Sequence, residues 1–95
     1  MVVIELRYQK PLDQVEAFLE AHRNFLNTYY EQGVFLASGP KYPRDGGMII
    51  ALLSKEQAQE MITQDPFFQD GIAAYKVMEF NPVRVHPDLK KILEV

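Results

Sequence analysis

Gly33-Val34-Phe35-Leu36-Ala37-Ser38-Gly39-Pro40-Lys41-Tyr42-Pro43-Arg44-Asp45-Gly46-Gly47-Met48-Ile49-Ile50-Ala51-Leu52-Leu53-Ser54 is the stretch that decides the fold. It opens on a glycine that stops one helical pattern and closes on a serine that starts another. Between them lie two short apolar runs, Val34 to Ala37 and Met48 to Leu53, which read as strands. Ser38 to Gly47 separates them, dense in turn formers and read as a loop. Two strands joined directly, with a helix on either side, form the centre of a split βαβ arrangement.

Reading outward confirms the pattern. Upstream, Leu12, Val15, Phe18, Leu19, Phe25, Leu26 and Tyr29 recur at helical steps, predicting one helix from Pro11 to about Gln32 with this stripe inward. Before it, Val2 to Tyr8 alternates, with Val2, Ile4, Leu6 and Tyr8 on one face and Val3, Glu5 and Arg7 on the other. Downstream, Ser54 with Gln57 is a capping box for a second helix carrying Ala58, Met61 and Ile62 inward. Asp65-Pro66 ends that helix, because the residue before proline is steered from helical angles. Phe67 to Gly71 reads as a short turn, Ile72 to Phe80 as the fourth strand, and Asp88 to Leu93 as a short tail helix.

The order is β-α-β-β-α-β, an α+β ferredoxin-like chain with a four-stranded antiparallel sheet. Both helices cover one face of that sheet. The third strand is apolar on both faces, and the fourth carries Tyr75, Val77 and Met78, with Phe80 at its end. The uncovered face is therefore expected to be sticky, which predicts a homodimer packed through it.

The 95 residues read as a single domain, 1–95, with 83–95 as a C-terminal tail. A net charge of −3 argues against a nucleic-acid backbone binder. The chain has no cysteine, so thiolate metal sites and cysteine nucleophiles are excluded. Met48 to Leu53, the longest apolar run, falls far short of the about 20 residues that span a bilayer, so no membrane partner is expected. No basic region precedes an apolar segment at the start, and the expected location is the cytoplasm.

His22 is the residue out of place. It sits on the apolar stripe, three residues after Leu19 and three before Phe25. A buried imidazole needs a partner for its ring N–H. The plain reading is a core histidine bonded to a backbone carbonyl. The sharper one pairs it with Asp65, whose own plain reading is a turn residue bonding nearby backbone N–H groups. A carboxylate on one ring nitrogen fixes the tautomer and raises the basicity of the other, which suits a general base or acid. Ser38 is the one tempting hydroxyl, but it lacks a nucleophile elbow. Arg44 in the glycine-rich loop could clamp a carboxylate or phosphate, or simply be solvated. Glu5 and Arg7 share the face opposite the helices and are expected to pair, with each other or with the partner chain, rather than to line a polar pocket there. Tyr29, Tyr30 and Tyr75 read as core or rim aromatics. Neither phosphate-binding glycine motif occurs, and two histidines, one being His86 beside Pro87, make no ligand cluster, so no cofactor and no metal are expected.

Ala21-His22-Arg23-Asn24-Phe25-Leu26, Gly33 to Pro40, Pro43-Arg44 with Gly46-Gly47, Asp65-Pro66-Phe67 and Phe80-Asn81-Pro82 together resemble the YciI-like proteins. The resemblance runs from the first strand to about Pro87. It implies a dimeric α/β barrel of ferredoxin-like subunits. It also implies an active site around His22 and Asp65, with the Ser38-Gly39-Pro40 turn beside it and Arg44 from a subset pattern. It supplies no substrate. The expected function is thus a small enzyme performing lyase- or isomerase-type acid–base chemistry on a small anionic or phenolic metabolite, catalysed by His22 and Asp65 with Ser38, Gly39, Pro40 and Arg44 binding the substrate. The alternatives are a non-catalytic small-ligand or accessory module of the same fold, and a purely structural His–Asp pair.

Overall fold

A computed structural model describes residues 1–93; the last two positions of the expected tail, 94 and 95, lie outside the described residues. Strand β1 (Val2–Tyr8) leads into helices α1 (Leu12–Ala17) and α2 (Leu19–Glu31). Strands β2 (Phe35–Pro40) and β3 (Gly46–Ala51) follow directly on one another. Helices α3 (Lys55–Ile62) and the single-turn α4 (Pro66–Gln69) precede β4 (Ala73–Glu79), and α5 (Pro87–Leu93) lies in the tail. The sheet order is β2-β3-β1-β4 with every neighbouring pair antiparallel, which is the α+β ferredoxin-like arrangement.

Alternation along β1 sets the layers. Val2, Ile4 and Leu6 are buried, and their cross-strand partners include Ala51 and Ile49 on β3 and Val77 and Tyr75 on β4. Val15, Phe35, Ala58, Met61, Ile62 and Phe67 close on this face from the helices and β2. Each large aliphatic side chain taken fully from water contributes about 1.5–3 kcal/mol. The opposite face carries Val3, Met48, Ile50 and Met78, interrupted by Glu5 and Lys76. Met78 and, past the strand end, Phe80 remain nearly half exposed.

Several boundaries differ from the sequence expectation, each for a local reason. The long helix is two helices. At Phe18 (φ −104°, ψ 2°) the amide donates to the Val15 carbonyl at 3.1 Å, a tighter three-residue turn that hydrophobic spacing does not register. Leu12, expected inward, stands exposed in the first turn of α1. Ser38, Gly39 and Pro40 are not a turn but the end of β2, paired with Ile49, Met48 and Gly47. Proline is tolerated there because β2 is an edge strand and its missing N–H faces no partner. The loop shrinks to 41–45, and β3 starts two residues early at Gly46. Only glycine fits at that position: a Cβ would stand 1.7 Å from the Leu6 carbonyl oxygen. Phe67 to Gly71, expected as a turn, is largely the helical turn α4.

Glu5 pairs with Lys41 at 3.4 Å rather than with Arg7, and Lys41 also reaches Asp45 at 3.1 Å. These contacts tie the β2–β3 loop to β1. Hydrogen bonding to Asp45 is the largest influence raising the Lys41 ammonium above its ordinary pKa, and Glu5 and the charges of both carboxylates add to it against partial desolvation.

Candidate active site

The site is built on the Asp65-Pro66 step. Asp65 is the N-cap of α4, in extended conformation (φ −75°, ψ 126°), with Pro66 at the first helical position. Its Oδ1 accepts the Phe67 backbone N–H at 3.0 Å, as the turn reading expects. The same oxygen also meets His22 Nδ1 at 2.8 Å. The two readings of Asp65 hold together. Its second oxygen, Oδ2, accepts the Tyr75 hydroxyl at 2.5 Å. The carboxylate is wholly buried, at 0% exposure, where an unpartnered charge would be very costly. Three donors satisfy it.

Tyr75 donates rather than accepts for a physical reason. Burial pushes its phenol well above the ordinary tyrosine range, and the Asp65 charge and hydrogen bond push it further the same way. Sequence reading missed this role, since a tyrosine on a strand face carries no mark of the partner behind it.

A carboxylate only accepts, so His22 Nδ1 carries a proton toward Asp65, and Nε2 is the ring nitrogen left to exchange a proton with a ligand. The ring is clamped by Phe67, stacked with centroids 4.0 Å apart and planes 2° from parallel. Nε2 has no protein partner, yet among the described residues no buried side-chain nitrogen or oxygen lacks one. This nitrogen is therefore accessible from outside the core, and His22 is one of the residues that line the adjacent cleft.

That cleft holds about 600 Å³ between α1 and α2 on one side and the β2–β3 end of the sheet on the other. His22, Ser38, Gly39, Pro40 and Arg44 all line it; Asp65 does not, standing behind the imidazole. Leu19, Leu26, Ile49 and Phe67 supply apolar wall. The Ser38 hydroxyl is engaged with the Tyr30 hydroxyl at 2.7 Å. Arg44 reaches Glu16 of α1 at 3.4 Å. Glu16 and Arg23 also line the cleft and were missed. Spacing could not have placed them together, because the break at Phe18 puts Glu16 on α1 and Arg23 on α2. Among the described residues no three histidine, aspartate or glutamate side chains converge as metal ligands do, and no helix is long and apolar enough to cross a membrane.

The YCII-related domain matches residues 1–81, which include every residue named at this site. The chain belongs to the YCII-related family. Curated proteins offer no match. Among solved structures this YCII-related chain is similar to the 5-chloro-2-hydroxyhydroquinone dehydrochlorinase TftG of Burkholderia phenoliruptrix AC1100, determined in complex with 2,5-dihydroxybenzoquinone. The TM-score is 0.70 at 19% identity, covering 85% of this chain and 94% of that one. At that identity the likeness establishes the shared fold.

Proposed function

We propose that this YCII-related protein is a small enzyme that transfers a proton to or from a small metabolite, in a lyase- or isomerase-type reaction. One observation carries the reading. A wholly buried carboxylate, held by two donors of its own, orients the imidazole of His22, which lines a ligand-sized cleft and has no protein partner on Nε2. His22 is the proton-transfer group, Asp65 fixes its tautomer, and Tyr75 and the Phe67 amide fix Asp65. Ser38, Gly39, Pro40 and Arg44 hold the substrate. That a structural neighbour is a dehydrochlorinase, a lyase, supports the reaction class.

The same reading gives a cytoplasmic homodimer that covers the apolar face bearing Val3, Met48, Ile50 and Met78. Light scattering at micromolar concentration checks it, with about twice the 11.0 kDa chain mass expected. A species of the single-chain mass would remove the dimer.

The test of chemistry is hydrogen–deuterium exchange at acidic C–H positions of small enols and hydroxyquinones, followed by NMR in D2O. 2-Hydroxy-1,4-naphthoquinone, which carries one negative charge at neutral pH and an exchangeable C3–H, is the first probe. His22→Gln should lower the catalysed rate about 10²–10⁴-fold with the fold intact. An unchanged rate in that variant overturns the reading. Probes that bind without any exchange point instead to a binding module.

A further inference from the structure

The rim of the cleft is unevenly charged. Arg44 has a counter-ion in Glu16, but their 3.4 Å contact joins two well-exposed side chains, a pairing readily exchanged with solvent or ligand. Arg23, on α2 next to His22, lines the same cleft, and its guanidinium has no ion pair or hydrogen bond among the described residues. Two arginines and one glutamate thus line the rim, in a chain whose net charge is −3. Leu6, Leu19, Leu26, Ile49 and Phe67 give the same cleft apolar wall beside His22.

We propose that the ligand is a compact monoanion, with its carboxylate or equivalent oxyanion held by Arg23 and an apolar or aromatic body filling the cleft toward His22. Arg44 joins the grip by exchanging Glu16 for the ligand oxyanion, in the planar two-donor geometry that guanidinium offers. Glu16 stays at the rim and disfavours a second negative group, so the site selects one charge rather than two. This deepens the proton-transfer reading by placing the ligand body beside Nε2, but the anion preference stands on the rim alone.

The test uses a matched pair of probes, 4-hydroxybenzoate and its neutral analogue 4-hydroxybenzamide, titrated into the intact protein and followed through backbone amide resonances. The acid should bind wild type about tenfold or more tightly than the amide. Arg23→Gln, a change at an exposed position, should cut that preference severalfold and leave only what Arg44 holds, and Glu16→Gln should strengthen it. Equal binding of acid and amide to wild type overturns the proposal. So does an intact preference in Arg23→Gln, or binding of neither probe up to about 10 mM. The two readings fail separately. A preference for the acid with no catalysed exchange leaves the anion grip standing and removes the chemistry. Exchange that depends on His22, with no preference for the acid, does the reverse.

Discussion

Two carboxylate–nitrogen contacts in this molecule have similar lengths and very different surroundings. Asp65 meets His22 at 2.8 Å with no exposure of the carboxylate, while Asp45 meets Lys41 at 3.1 Å with 63% of the aspartate side chain in water. Asp65 accepts from an imidazole, a phenol and an amide on three different elements. The Lys41 cluster has two carboxylates around one ammonium, all reachable by solvent and salt. Contact length alone thus says little about what a charged pair contributes. What separates the two is whether removing one member strands the others away from water.

The largest effect is expected at Asp65. Asp65→Ala leaves the His22 N–H, the Tyr75 hydroxyl and the Phe67 amide without an acceptor, and should cost roughly 3–5 kcal/mol in urea unfolding. A loss as small as that of a surface substitution would break the comparison. Tyr75→Phe comes next, at about 1–3 kcal/mol, because the buried carboxylate keeps its other two donors.

Its pH dependence sharpens the point. The folded-state phenol is pushed above its unfolded value of about 10, so the native chain keeps a proton that the unfolded chain gives up. The contribution of Tyr75 is complete below about pH 10 and fades as pH climbs beyond it. Unfolding midpoints measured on the alkaline side should therefore fall less steeply in Tyr75→Phe than in wild type. Lys41→Ala should have the smallest effect, with no resolvable change in Tm at physiological salt. A substantial drop there would mean that the loop it ties down matters more than its exposure indicates.

Legibility in the sequence follows the same division between local and distant causes. The first strand from Val2 to Tyr8 and the Ser54–Gln57 capping box were readable, because alternation and capping act within a few residues. The break at Phe18 was not, since the apolar spacing runs through it without a gap. Ser38-Gly39-Pro40 looked like a turn because nothing in three residues says that their strand lies at a sheet edge. At the site, the inward histidine was visible from periodicity. Its bond to Asp65, 43 residues away, rested on family resemblance beyond what spacing alone gives. Tyr75 was invisible in its role, because the carboxylate that needs it is brought there only by the folded sheet.

The parallel stack of His22 on Phe67 has a directional consequence. With one ring face covered and the Nδ1 edge bound, the imidazole meets a ligand along the single line its plane defines at Nε2. A ligand atom that exchanges a proton there must lie close to the imidazole plane, and the phenylalanine beneath the ring helps to set how that plane is tilted in the cleft.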